Sequence, residues 1–224
     1  MTEPTTPFAG FPVAALDFYD DLEVDNTKSY WEKHKATYDS DVKGPMVALV
    51  SALAPEFAHD RQSYKVFRPY RDVRFAKDKT PYKTQAAAVA QGGPADGALY
   101  LALGADGLFV AGGYYATATD QARRLRDAIA DELTGPPLAA ALDALREAGW
   151  EVGGEQLARI PKPWDDGHPR AGLLRHKSLT ASRAHPPAAW LHTPAALAQV
   201  AEGWRQLGPL NDWLRQRVGM SRTT

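Results

Sequence analysis

Cysteine is absent from the 224-residue chain, which excludes disulfides, thiolate nucleophiles and zinc-thiolate centres together. Long apolar runs are missing as well. No stretch reaches the roughly 18 uninterrupted residues that a membrane span needs, and the opening MTEPTTPFAG has neither a basic nor an apolar leader region. Bulk charge is lacking too: 26 Lys and Arg stand against 27 Asp and Glu, a formal net charge of -1. No global field would therefore draw duplex nucleic acid or an anionic membrane, and any anion binding must be local. HExxH, GxSxG, GxxxxGK[ST] and GxGxxG do not occur, and Gly92, Gly93 and Gly97 have the wrong spacing for a dinucleotide loop. With the six histidines scattered and Asp20 and Asp21 on an ordinary amphipathic stretch, neither a metal site nor a cofactor is expected. These absences read as a soluble cytoplasmic protein without a membrane partner, its oligomeric state left open.

What is present is concentrated. Lys65 to Gln85, KVFRPYRDVRFAKDKTPYKTQ, carries Lys65, Arg68, Arg71, Arg74, Lys77, Lys79 and Lys83 against only Asp72 and Asp78. Seven cations in one short segment repel one another unless something negative sits among them, a ligand or imported carboxylates. Arg68, Arg71 and Arg74 each offer a planar fork to phosphate or carboxylate, whereas Lys77, Lys79 and Lys83 act as point charges.

Hydrophobic residues make up 44% of the chain, enough to bury a full core, and one domain over residues 8 to 219 is expected between tails at 1 to 7 and 220 to 224. Helical spacing predicts a helix from Pro12 through Leu16, Phe18, Tyr19 and Leu22. A second follows, capped by Asp25 or Asn26 and carrying Tyr30, Trp31, His34 and Tyr38, and a third from about Pro45 to Phe57. Period two then predicts a strand over Val66 to Phe75, with Phe67, Val73 and Phe75 on one side and Arg68, Tyr70, Asp72 and Arg74 on the other. Pro69 marks it as an edge strand or a break. The alanine-rich stretch after Pro81 has no readable period.

Residues 98 to 115 predict a hairpin turning at Gly104 to Gly107. Helices follow from a cap at Thr117 or Thr119 to Leu133 and from Pro137 to Ala148, then a short strand over Trp150 to Gln156. The proline-rich passage at 160 to 169 must be loop. A polar strand over Lys177 to Arg183 and helices over Thr193 to Trp204 and Leu207 to Val218 close the chain.

FRPYRDVRFAKDKTPYKT, GGYYATATDQARRLRDAI and IPKPWDDGHPRAGLLRHKSL together resemble the DUF2461 family, the likeness spanning roughly Phe8 to Val218. One departure is VDNTKSYW at 24 to 31, where an Asn-Asn pair followed by a basic residue, Glu and Trp is expected. The resemblance implies an α+β domain and carries over no catalytic residue. The elements agree with that class: a mixed or mainly antiparallel sheet, with helices from the N-terminal third and the C-terminal end packed on it.

Two functional readings follow. In the first, Arg68, Arg71, Arg74, Lys77, Lys79, Lys83 and Lys177 bind a phosphate-bearing or polycarboxylate small molecule, with Asp72 and His168 as candidate proton handlers. In the second, the cluster is a structural ion-pair network in a module that binds a protein or single-stranded nucleic acid, interleaved tyrosines such as Tyr70, Tyr82, Tyr100, Tyr114 and Tyr115 serving as stacking surfaces. The block from Pro161 to Lys177, with Lys162, Asp165, Asp166, His168, Arg175 and His176, completes the first reading only if it folds over the basic segment. In the plain alternative it is a loop held by Trp164, with Asp165 or Asp166 capping the helix after Pro169.

Overall fold

A computed structural model describes residues 7 to 58, 64 to 90 and 97 to 222. Of the tails expected at 1 to 7 and 220 to 224, residues 1 to 6 and 223 to 224 lie outside the described residues, as do Gly92 and Gly93. Helices α1 (Val13–Val24), α2 (Lys28–Thr37) and α3 (Gly44–Phe57) come first, with a π-helical stretch, Tyr38–Lys43, between the last two. Strands β1 (Tyr64–Val66), β2 (Gln85–Ala90), β3 (Ala98–Gly104) and β4 (Gly107–Tyr114) follow, then α4 (Thr119–Ala130), α5 (Gly135–Glu147) and β5 (Glu151–Gly153). The chain closes with α6 (Ala171–Leu174), β6 (Leu179–His185), a 3-10 turn over Ala189–His192, α7 (Ala195–Gln206) and α8 (Gly208–Arg217). Six strands form one sheet in the order β1-β2-β3-β4-β6-β5, antiparallel where β1 meets β2 and β5 meets β6. This is the expected α+β class. No helix among the described residues is long and apolar enough to cross a membrane.

The chain divides into two compact units. The first holds Met1–Ala90, Tyr100–Val110 and Ala184–Glu202; the second holds Gln91–Leu99, Ala111–Arg183 and Gly203–Thr224. In the first, α1 buries Ala15, Leu16, Phe18, Tyr19 and Leu22, the stripe that a 3.6-residue period places on one side. α3 does the same with Met46, Leu49, Val50 and Leu53. Each Leu, Val, Met or Phe among these contributes about 1.5 to 3 kcal/mol by leaving water. The second unit has its own core, with Leu125 and Ile129 on α4, Leu138, Leu142 and Leu145 on α5, and Leu210 and Leu214 on α8 all buried.

Helix starts show where local chemistry departs from expectation. The cap of α2 is Thr27, whose hydroxyl accepts the Tyr30 N–H at 3.2 Å, not Asp25 or Asn26. α4 is entered at Ala118, whose N–H donates to the Gln121 side chain at 3.0 Å. Thr117 is committed elsewhere, its hydroxyl donating to the Lys177 carbonyl at 2.5 Å. α4 ends at Ala130 rather than Leu133. The β3–β4 hairpin turns through Ala105 and Asp106 as expected, but the positive φ falls on Gly107 alone, at 102°. A Cβ there would stand 2.3 Å from the His185 carbonyl oxygen, so only glycine fits.

At the chain's end, Arg124 donates to the carbonyls of Val218 and Met220 at 2.7 and 2.6 Å. The Ser221 hydroxyl and the Arg222 N–H both donate to Asp120, at 2.8 and 2.7 Å.

Candidate functional site

The basic segment is a hairpin whose ladder breaks. β1 pairs with β2 through Tyr64↔Ala90, Lys65↔Val89 and Val66↔Ala88, and the Phe67 N–H still reaches the Ala87 carbonyl at 2.8 Å. The next donor along this edge would be residue 69, a proline with none. Pairing resumes only at Tyr70↔Tyr82, two residues out of the earlier register, where Lys83 N–H donates to Pro69 O and Arg71 N–H to Pro81 O at 2.8 and 2.9 Å. The expected strand over Val66 to Phe75 is therefore corrected: regular strand stops at Val66, and residues 71 to 81 form an irregular loop. Pro69 acts as both things expected of it, an edge residue and a break. Phe75, expected on one side with Phe67 and Val73, is 95% exposed, because the period ends with the ladder.

The root of the hairpin is clamped. Asn26 donates to the Tyr82 carbonyl at 3.0 Å and accepts the Tyr82 N–H at 3.1 Å, so one side-chain amide replaces the missing strand partner. The Tyr82 ring stacks on Trp31, and Tyr70 lies 5.5 Å from Tyr82 and 6.1 Å from Trp31. No spacing in the sequence points to Asn26; only the tertiary pairing does.

Within the loop, two arginines are consumed by its own two carboxylates. Arg71 pairs with Asp78 and the Thr80 hydroxyl. The Thr80 N–H, then Arg71 and the Thr80 hydroxyl, pull the Asp78 carboxyl down to about 2. Arg74 grips Asp72 with both prongs of its fork, 2.9 Å from Nε and 2.6 Å from Nη2, and this hydrogen bonding lowers the Asp72 carboxyl. Arg68 acts on Asp72 only through charge. Lys79 Nζ donates to the Val73 carbonyl at 2.9 Å. No acid from outside the segment joins these pairs among the described residues.

Two of the cations left over gather around Phe67. Lys83 Nζ sits 5.4 Å and Lys65 Nζ 5.6 Å from the ring centroid, and Lys83 Nζ donates to the Arg68 carbonyl at 3.1 Å. Burial first, then the neighbouring charges of Arg68 and Lys65, push the Lys83 ammonium below its ordinary value. Lys65, Arg68 and Lys83 have no carboxylate partner among the described residues, and the same holds for Lys77.

The second block lies in the other compact unit, and its residues are tied locally. His168 Nδ1 accepts the Arg170 N–H at 3.0 Å and Nε2 faces the Ala130 carbonyl at 3.3 Å, so both ring nitrogens are engaged by backbone. Lys177 is ion-paired with Glu155. Asp165 accepts the Gly167 N–H at 3.0 Å in a local turn, and α6 has no side-chain cap. His176 is 4% exposed, its nitrogens set against the Ser178 carbonyl and the Gln156 amide at 3.0 Å each. Arg170 fastens the end of α4, donating to the carbonyls of Ile129 at 2.6 Å and Ala130 at 3.0 Å and pairing with Glu132 at 2.8 Å. Among the described residues no group of three or more His, Asp or Glu is placed to hold a metal.

A family model described as "Conserved hypothetical protein (DUF2461)" matches residues 14 to 213, which takes in the basic hairpin and the second block alike. The chain belongs to the DUF2461 family. No curated protein and no solved structure matches it. This hairpin presents two internally neutralised arginines that stiffen a loop, and two lysines over one aromatic ring with the charge of Arg68 acting on one of them.

Proposed function

We propose that this DUF2461 protein binds a phosphate-bearing ligand through Lys65, Arg68 and Lys83, with Lys77 and Lys79 as outlying charges on the loop. Arg71 and Arg74 hold the loop's shape and do not bind. The observation that carries the reading is the crowding of Lys65 and Lys83 over Phe67, with the charge of Arg68 also acting on Lys83 and no carboxylate ion-paired to any of the three among the described residues. Like charges held this close stabilise the fold only when a counter-charge joins them, and an anion seated there lowers the energy of the native state by mass action. Arg68 offers a planar fork and the two lysines point charges, a set suited to tetrahedral oxyanions. The role is binding. No group is assigned to bond making or breaking.

The experiment is thermal unfolding with inorganic phosphate, tripolyphosphate and citrate at fixed ionic strength. Tripolyphosphate should raise Tm with a mass-action dependence on concentration, and more than citrate. Arg68→Gln and Lys83→Gln should remove the shift, whereas Arg215→Gln, on α8 and paired with Asp212, should keep it. Equal shifts in all three variants would end the reading.

A further inference from the structure

We infer that the sheet face beside this cluster takes single-stranded nucleic acid, its phosphates against Lys65, Arg68 and Lys83 and its bases against an aromatic row formed by Phe67, Tyr100 and Phe109. The inference rests on the phosphate reading just given and names the ligand class for the same site. The β1–β2 register puts Lys65 beside Val89 on one face, and Phe67, two residues on from Lys65, shares that face. Tyr100 joins it, its ring 6.4 Å from Phe67 and its hydroxyl accepting from Gln85 Nε2 at 3.3 Å. Phe109 extends the row, edge-on to Tyr100 at 6.2 Å and 38% exposed. All of these residues belong to the first compact unit.

A sheet face open to water ordinarily carries polar side chains. Here half-exposed aromatics occupy it instead, and cations without carboxylate partners flank it. Those are the two halves of a single-strand platform: π surfaces for unpaired bases and positive charge for the backbone. A duplex keeps its base faces stacked inside and cannot use the rings. A free mononucleotide carries one base and would leave most of a three-ring row in water, so a strand fits better. An acidic peptide would satisfy the cations and leave the rings without a matching surface.

The test is fluorescence anisotropy of the full chain with labelled oligothymidylate and oligouridylate, alongside the matching duplex, tripolyphosphate and an acidic peptide as competitors. Single strands should bind at low salt, and the duplex roughly tenfold or more weakly. Phe109→Ala should weaken the strand roughly tenfold and leave tripolyphosphate binding unchanged. Phe109→Leu, which keeps the apolar bulk and removes the ring, should do the same and so separates stacking from folding. Lys65→Gln with Arg68→Gln should weaken both ligands and reduce the slope of log affinity against log salt by about one to two. If tripolyphosphate binds and the Phe109 variants hold the strand as wild type does, the strand inference falls and the phosphate site stands. If neither ligand binds, both fall. A duplex that binds as tightly as the single strand, or an acidic peptide that displaces the strand as readily as tripolyphosphate does, also overturns the inference.

Discussion

The indole of Trp31 lies flat on the ring of Tyr82, centroids 4.3 Å apart and planes 9° from parallel, while Asn26 holds both backbone hydrogen-bonding groups of the same tyrosine. Two contacts from the α1–α2 region thus decide where the far arm of the basic hairpin starts. The cations beyond it, Lys83 foremost, inherit their positions from that anchor. The loop is irregular, yet its base is as firmly fixed as a core element.

Asn26→Ala should cost about 1 to 3 kcal/mol in denaturant unfolding, because it strands a half-buried N–H and C=O of Tyr82. Tripolyphosphate affinity should fall with it, since Lys83 loses its fixed neighbour. A variant with wild-type stability would mean that water replaces the amide at no cost.

Asp78 lends itself to a pH measurement. Its folded-state carboxyl is depressed to about 2 from an ordinary 3.8, so its contribution is complete above about pH 4 and is lost as pH falls toward 2. Carboxyl NMR should place the titration there, and Asp78→Asn should expose the loop to faster tryptic cleavage after Arg71. A midpoint near the ordinary value would show that Arg71 and Thr80 do not hold it in solution.

Asp72→Asn should behave differently. The Asp72–Arg74 pair is largely exposed, and water screens such pairs, so Tm should move little. Anion affinity should hold or rise, because one negative charge near Arg68 is gone. A marked loss of stability would give Asp72 an organising role larger than its exposure allows.

His176 should make stability fall with falling pH as Asp78 does, but by gaining a charge where the carboxylate loses one. Burial lowers its folded value below 6.5, so the unfolded chain binds the proton more readily. Stability is full above about pH 6.5 and declines as pH drops below it. His176→Gln should flatten that decline in unfolding experiments run between mildly acidic and neutral pH. An unchanged profile would assign the effect to another group.

Arg170→Ala should destabilise by about 2 to 3 kcal/mol, since a charged donor leaves three carbonyls at the end of α4. Arg170→Lys should recover little of this, because one ammonium cannot reach where a fork does. Tripolyphosphate binding should be untouched. A lysine variant as stable as wild type would make Arg170 a simple counter-charge for Glu132.

Much of this fold could be read from the chain. Helical spacing places α1, α3, α5 and α8, and the Asp-Gly step places the β3–β4 hairpin, because those signals are local. The basic segment was half legible. Alternation carries the reading through Phe67, but a two-residue offset between 67/87 and 70/82 leaves no trace in composition, and β2 is mostly alanine, which has no period to read. The cations were visible as a cluster. That Asp72 and Asp78 would take Arg74 and Arg71, leaving Arg68 with the lysines, is a matter of loop geometry. His168 looked like a proton handler because histidine titrates near neutrality; its commitment to Arg170 and Ala130 depends on a partner 38 residues away.

Pro69 also governs what the outer border of the sheet does toward other chains. β1 is the terminal strand, and a terminal strand is a template on which a foreign strand can grow by hydrogen bonding. Here the template is three residues long, bears the charge of Lys65, and ends where Pro69 breaks the pairing with β2. An intruding strand would find an extended partner for barely one repeat, so fibril-like accretion along this border is cut off by the same residue that lets the basic loop leave the sheet.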